Sequence, residues 1–133
     1  MWRTILSVVA GLAAWVMVIT LLNFGLRAAI PGYHAAEATL QFTMAMKVGR
    51  LTEAALASIA AGGVVRLIEP TRRWVPAIVG LLILGMFLPV HVNLWGKFPA
   101  WYHLSFLLPI VPLVVLGREL VGSGRSRKLA TAS

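Results

Sequence analysis

The sequence contains no cysteine, and only four of its 133 residues are acidic. The absence of cysteine excludes disulfides, thiolate metal sites and cysteine nucleophiles. Charged residues of both signs make up 12% of the chain, against roughly a quarter in ordinary soluble domains. Apolar residues make up 59%, and the mean hydropathy is +0.87. This composition indicates a membrane protein, and the length predicts one compact domain.

The twelve basic residues give the chain a formal net charge of +8. They do not form a basic stripe that alternates with exposed aromatic residues, as single-strand nucleic-acid binders require. Most of them instead lie at the ends of apolar runs, where they orient a membrane protein. We therefore expect no nucleic-acid partner. Since the sequence shows no set of nucleophile, base and acid, we also expect no enzyme.

Four apolar segments predict an all-α integral membrane protein with an up-and-down bundle of four transmembrane helices. About 20 residues suffice to cross the hydrocarbon layer. The predicted helices lie at about residues 4–28, 48–69, 74–93 and 101–118.

The segments between and after these spans carry further predictions. Pro31-Gly32 should end the first helix. Residues 33–46 read as an interfacial helix or as an extension of the next span. Pro109 and Pro112 should interrupt the last span, because proline removes a helical hydrogen bond. Residues 121–133, rich in Ser, Gly and basic residues, are expected to form a flexible cytoplasmic tail.

The distribution of basic residues predicts the orientation. An N-terminus in the cytoplasm places eight basic residues inside and four outside, which favours cytoplasmic N- and C-termini in a multi-pass protein of the inner membrane. The inner set is Arg3, Arg66, Arg72, Arg73, Arg118, Arg125, Arg127 and Lys128, and the outer set is Arg27, Lys47, Arg50 and Lys97.

The second span is rich in small residues. Ala54, Ser58 and Gly62 are spaced four apart and therefore lie on one helix face. Small residues at this spacing allow another helix backbone to approach closely, and such packing drives helix association in lipid. We expect this face to be the central contact of the fold or of an oligomer.

Lys47, Arg50 and Glu53 are spaced three apart, which places them along one side of the same helix. They could hold an anionic headgroup or substrate, or line an ion path, with Glu53 as partner or proton carrier. Alternatively, they form an interfacial ladder whose long side chains extend to the lipid headgroups. Their place at the start of the span favours the ladder.

His91 and His103 lie near the facing ends of the third and fourth helices, so both should reach the same outer layer. Imidazole can ligate haem or a chlorophyll-type pigment and can carry protons. The hairpin offers no acidic residue or further ligand, which favours two histidines that only form hydrogen bonds. Of the other polar residues, Asn23 is expected to link helices and Glu69 to be a solvated turn residue.

Three features carry a resemblance: Arg50 opening a glycine-containing helix, the turn Glu69-Pro70-Thr71-Arg72-Arg73, and Trp101-Tyr102-His103-Leu104 at the start of a proline-bearing last helix. In these the chain resembles uncharacterised small four-helix bacterial inner-membrane proteins. In that pattern a proline often follows the Trp-Tyr pair, where this chain has His103. The resemblance implies the four-helix fold and no particular activity.

The sequence leaves three functional hypotheses. The first is a non-catalytic accessory subunit that packs against other transmembrane subunits, lipids or pigments in a larger membrane complex, for example a photosynthetic or respiratory one. The second is a small self-associating transporter or channel that uses Lys47, Arg50 and Glu53. The third is a subunit that binds haem or pigment through His91 or His103.

Overall fold

A computed structural model describes residues 1–132 and contains, within that range, six α-helices and no β-strand. The all-α class is therefore confirmed. The helices are α1 (Trp2–Ala29), α2 (Tyr33–Thr39), α3 (Met44–Ile68), α4 (Val75–Asn93), α5 (Ala100–Leu107) and α6 (Ile110–Ala132).

Four units are long and apolar enough to cross a membrane: α1, α3, α4, and α5 with α6. A helix of 28 residues such as α1 spans about 42 Å at 1.5 Å per residue, which exceeds a hydrocarbon layer of about 30 Å. An even number of antiparallel units brings both termini to one end of the bundle. We call that end, with the loop 69–74 and Arg118, the terminal end, and the other end, with the loops 30–43 and 94–99, the hairpin end.

The breaks between helices follow from local backbone chemistry. After α1, Gly32 adopts a left-handed conformation with φ +81°, which turns the chain into α2. Leu40 is also left-handed at φ 59° and ends α2. The hydroxyl of Thr43 then accepts a hydrogen bond from the Met46 amide at 3.3 Å, which caps α3.

Two helix boundaries differ from the sequence-based expectation. The segment 33–46 divides between α2 and the first turn of α3, because the left-handed Leu40 separates them. The last unit breaks once, at Leu108 and Pro109. Pro112 causes no break because it lies in the first turn of α6, where its missing N–H has no intrahelical partner.

The structure describes most of the residues that the sequence assigns to a flexible cytoplasmic tail. Residues 121–132 continue α6 as helix, and Ser133 lies outside the described residues. The first turn of this extension still contacts the bundle, since Val121 lies beside Gly63 and Gly122 beside Arg66. Beyond it, α6 continues as an exposed helix to Ala132.

The helix α3 forms the centre of the bundle. It packs along α1 on one side and along α6 on the other, while α4 contacts mainly α6 and, more narrowly, α1. The central core therefore draws on all four units. Its most deeply buried side chains are Trp15, Ala57, Ala61, Val65, Val75, Val79, Ile83, Ile110 and Val114. A second core, at the hairpin end, consists of Tyr33, Ala36, Phe42, Met46, Phe98 and Tyr102.

The terminal end is held by polar contacts to the loop 69–74. Arg66 and Arg118 both donate to the carbonyl oxygen of Pro70, at 2.7 and 2.8 Å. Glu69 is buried, contrary to the expected solvated residue, because its carboxylate accepts from the hydroxyls of Thr71 and Thr4. The Thr71 hydrogen bond is the main cause that lowers the pKa of Glu69.

Candidate functional site

Arg50 is the central polar residue of the hairpin end. Its Nε donates to the hydroxyl of Tyr102 at 3.1 Å, and its Nη1 donates to the hydroxyl of Tyr33 at 3.0 Å. The guanidinium carbon lies 4.8 Å from the centre of the Phe42 ring, within the range of a cation–π contact. Residues from α2, α5 and the loop before α3 thus surround this side chain at the hairpin end.

The hydrogen bonds continue from Tyr33 to α1. The Tyr33 hydroxyl donates to Asn23 Oδ1 at 2.9 Å, and Asn23 Nδ2 donates to Glu37 Oε1 at 3.2 Å. Asn23 therefore links α1 to α2, as its depth in the first span predicts. Burial is the main cause that raises the pKa of Tyr33, which keeps its hydroxyl neutral.

Arg27 closes the network with a bidentate ion pair. Its Nε and Nη2 contact both carboxylate oxygens of Glu37 at 2.7–3.1 Å. Hydrogen bonding to Arg27 is also the main cause that lowers the pKa of Glu37. The charge of Arg27 is thus matched by a carboxylate of the protein.

No carboxylate of the described chain forms an ion pair with Arg50. Both of its hydrogen-bond partners are neutral phenols, and two of its five N–H groups are used, which leaves three N–H groups without a bond to residues 1–132. Glu53 lies one helical turn further along α3 and is 5% exposed. Within the described chain no ion pair joins it to Arg50, and its Oε2 has no hydrogen-bond partner.

Arg50 and Glu53 both face a cavity between α1, α3 and α4 that measures about 280 Å³. Asn23 and Arg27 add polar groups at one side. The remaining wall is mostly apolar, and the full lining is Ile19, Thr20, Asn23, Phe24, Arg27, Arg50, Glu53 and Phe87. A mostly apolar wall with a few convergent polar groups is the usual character of a ligand site.

A second cavity of about 80 Å³ lies on the other side of Arg50 and Phe87. His91, Tyr102 and Phe98 line it together with further apolar residues. Arg50 thus lines both cavities, of which the larger is more polar and the smaller more aromatic.

The predicted charged set is only partly brought together. Arg50 and Glu53 share the larger cavity, whereas Lys47 is half-buried and lines neither cavity. The reason is the helical phase, since a spacing of three residues drifts around a helix of 3.6 residues per turn.

The small-residue face of α3 lies inside the fold. Ala54, Ser58 and Gly62 are all buried. A Cβ atom on Gly62 would lie 1.8 Å from the carbonyl oxygen of Val114, so α6 covers this part of the face. Ser58 accepts a hydrogen bond from the indole N–H of Trp15 at 3.0 Å, which ties α3 to α1. Of the two predicted uses, the structure therefore shows the contact within the fold.

His91 and His103 contact each other directly. Their Nδ1 atoms are 2.7 Å apart, both side chains are buried, and the indole of Trp95 stacks on His103 with ring centres 4.7 Å apart. Two nitrogens that bind one tetrahedral metal ion at about 2 Å each would lie about 3.3 Å apart, so a separation of 2.7 Å is that of a hydrogen bond. Within residues 1–132 there is also no cluster of three or more metal-ligating side chains.

A haem or chlorophyll macrocycle does not fit beside this pair. The cavity next to His91 measures only about 80 Å³, which is too small to hold a macrocycle, whereas the 280 Å³ cavity at Arg50 is close to the lower limit of about 300 Å³ for ligand pockets. The geometry instead matches two histidines that satisfy each other by a hydrogen bond. His103 Nε2 is buried and without a hydrogen-bond partner in the described chain.

Sequence reasoning missed the partners of Arg50 and Arg27. Tyr102 is 52 positions from Arg50 along the chain, and no local pattern signals such a contact. Glu37 carried a usable signal, because it is the one acidic residue near Arg27 on the outer side of the predicted topology.

The fold and the site together define a class: a helical bundle with four candidate membrane spans and an arginine held inside one end by neutral partners. Comparisons with protein-family models, curated proteins and solved structures give no match for this chain. Its function therefore has to be argued from the site.

Proposed function

We propose that this protein is a non-catalytic multi-pass protein of the bacterial inner membrane that binds an anionic amphiphile at Arg50. The ligand would be a carboxylate or phosphate headgroup attached to an acyl chain. The observation that carries the proposal is the cationic Arg50, which lacks a carboxylate partner and faces the 280 Å³ cavity. A planar guanidinium with free N–H groups suits bidentate contacts to a carboxylate or phosphate.

The depth of the site supports an amphiphile over a freely soluble anion. Arg50 lies 16 residues along α3 from Arg66 at the terminal end, a rise of about 24 Å, within a hydrocarbon layer of about 30 Å. Ile19, Phe24 and Phe87 provide apolar walls beside the headgroup position. Phe24 is 57% exposed, so the cavity wall continues to the lipid-facing surface.

Glu53 fits the same proposal as a second contact. A buried carboxyl group without a charged partner is costly in its ionised form. In its neutral form it donates a hydrogen bond to an anionic headgroup and does not repel it. Binding would then depend on the proton of Glu53 as well as on the charge of Arg50.

The orientation is part of the proposal, with both termini in the cytoplasm. It is supported by the eight-to-four distribution of basic residues, together with the position of Arg3, Arg66 and Arg118 at the terminal end. The Arg50 site then lies toward the outer leaflet.

Binding without chemistry suits an accessory subunit that holds lipid in a larger membrane complex. Since α6 covers the small-residue face, a partner subunit would have to pack on the lipid-facing sides of α1 and α4. Gentle-detergent extraction followed by identification of co-migrating proteins tests this. A defined larger complex supports the subunit role, and migration as a monomer or small homo-oligomer contradicts it.

Transport is a second candidate, and the burial of Glu53 beside an open cavity favours it. A carboxyl group that gains and loses a proton in lipid is a common element of transporters. Proton-coupled uptake of the amphiphile into liposomes would distinguish the two roles. The transport role requires that Glu53→Gln abolish uptake, whereas a binding role requires no uptake by the wild type.

Native mass spectrometry of the purified protein tests the binding site. We expect one retained anionic amphiphile per chain, with binding at least tenfold weaker in Arg50→Gln and intermediate in Arg50→Lys, which keeps the charge and loses the planar fork. Arg72→Gln, an exposed arginine at the terminal end, is the matched control.

Two further measurements keep this test decisive. Inorganic phosphate at millimolar concentration should not displace the amphiphile, and displacement would indicate a site for free anions. Tyr102→Phe removes one hydrogen bond to Arg50 and keeps its charge, so it should retain the ligand. Unchanged retention by a folded Arg50→Gln variant would overturn the proposal.

A further inference from the structure

The terminal end carries a groove that the Arg50 site does not use. Val121, Gly124, Arg125 and Lys128 follow the spacing of one helix face along α6. This face lies opposite Leu67, in the last turn of α3, and the groove between them measures about 320 Å³. Because α3 ends at Ile68, the face has no helix beside it further along α6.

The groove changes character along its length. Next to the bundle it is lined by Leu67, Val121 and Gly124, which are apolar or lack a side chain. Further out it is lined by Arg125 and Lys128, whose side chains are exposed. An apolar section followed by two cations matches the order of acyl chain and phosphate in a phospholipid.

The surrounding charges strengthen this match. The Arg66 guanidinium lies against Gly122, within 3.2–3.3 Å of the position of a Cβ atom, so a third cation adjoins the same part of α6. Its hydrogen bond goes to the neutral carbonyl of Pro70. Trp2 and Trp74 lie exposed at this end, where tryptophan typically marks the membrane interface.

We propose that this groove binds an anionic phospholipid of the leaflet at the terminal end. Its acyl chain would lie against Leu67, Val121 and Gly124, and its phosphate would contact Arg125 and Lys128. The site is independent of the Arg50 site, since it shares no residue with it. Charge complementarity selects an anionic headgroup over a zwitterionic one.

The test compares lipids and matched variants in nanodiscs. Phosphatidylglycerol and phosphatidylcholine with identical chains are mixed in equal amounts, and the lipids retained by the protein are counted by native mass spectrometry. Each basic residue near an anionic surface strengthens binding about fivefold, so two should give a preference of roughly thirtyfold for phosphatidylglycerol. Arg125→Gln/Lys128→Gln should lose it.

Two variants separate the groove from simple net charge. Arg72→Gln/Arg127→Gln removes the same charge from exposed positions outside the groove and should keep the preference. Gly124→Leu places an apolar side chain in the groove, at a position where a Cβ atom meets no atom within 4 Å. This variant should retain less phosphatidylglycerol than the wild type, although it keeps Arg125 and Lys128.

Three results would overturn the proposal. The first is equal retention of both lipids by the wild type. The second is an equal loss of the preference in both double variants, which would assign it to net charge. The third is displacement of the lipid by a soluble polyglutamate peptide at micromolar concentration, which would assign the face to an acidic protein partner.

Discussion

The contact between α3 and α6 leaves no space for a side chain at Gly62, which makes Gly62→Ala a stringent test of the fold. A Cβ atom at this position would lie 1.8 Å from the Val114 carbonyl oxygen and 2.9 Å from the Arg118 amide nitrogen. The same contact is reciprocal, since a Cβ atom on Gly117 would lie 1.9 Å from the carbonyl oxygen of Ile59. Both clashes involve helix backbone, which cannot rotate away as a side chain can.

The magnitude follows from two opposing effects. An ordinary contact is 3.4 Å or more, so α3 and α6 would have to separate locally by about 1.6 Å, the difference between 3.4 and 1.8 Å. Overpacking of this kind costs about 1–3 kcal/mol in free energy of unfolding. Alanine also favours helix over glycine by about 1 kcal/mol. Gly85→Ala on α4 isolates that second effect, because a Cβ atom there meets nothing within 4 Å.

The assay is unfolding in mixed micelles by increasing dodecyl sulfate, followed by tryptophan emission. Trp15 is 2% exposed in the central core and reports on its loss. Gly62→Ala should unfold with a free energy lower than that of Gly85→Ala by about 1–3 kcal/mol, the overpacking cost. If the two variants are equally stable, α3 and α6 do not pack through their glycines, and the helix arrangement described above is wrong.

Three further predictions concern polar contacts between side chains of the fold. Ser58→Ala removes the acceptor of the buried indole N–H of Trp15, so the free energy of unfolding should fall by about 1–2 kcal/mol in the same assay. Replacing either His91 or His103 by leucine should cost about 1–3 kcal/mol, because the other imidazole loses its partner, whereas the double variant should cost less than the sum. Hydrogen bonding to Arg27 lowers the pKa of Glu37, so the ion pair should stabilise the hairpin end fully above pH 4.5. This stabilisation should be lost as the pH falls through the lowered pKa. Amide hydrogen exchange in α2 should therefore become faster at low pH in the wild type, and Glu37→Gln should not show this pH dependence.

The helical units were accessible from sequence because each depends on local composition. Long apolar runs with few charges predicted α1, α3, α4 and the last unit, and proline positions predicted most of the breaks. The last helix continues past its predicted end, into residues where the hydropathy has already dropped. Hydropathy marks the membrane boundary, which need not be the end of the helix.

The site was accessible only in part. Arg50 and Glu53 were singled out by their charge at the start of a span, and His91 and His103 were placed in one layer by the hairpin topology. The partners of Arg50 could not be predicted, because Tyr33 and Tyr102 contact it only when α2 and α5 are folded over the hairpin end. Contacts between residues so distant in sequence leave no periodicity to detect.

The central claim is that the Arg50 guanidinium receives the headgroup of an anionic amphiphile. The most direct measurement is nitrogen-15 NMR of the arginine side chains in micelles of a neutral detergent, during titration with a long-chain fatty acid. We expect a saturable shift of the Arg50 guanidinium resonances that is absent for the exposed Arg72. A silent Arg50 signal, or equal shifts at both arginines, would contradict it.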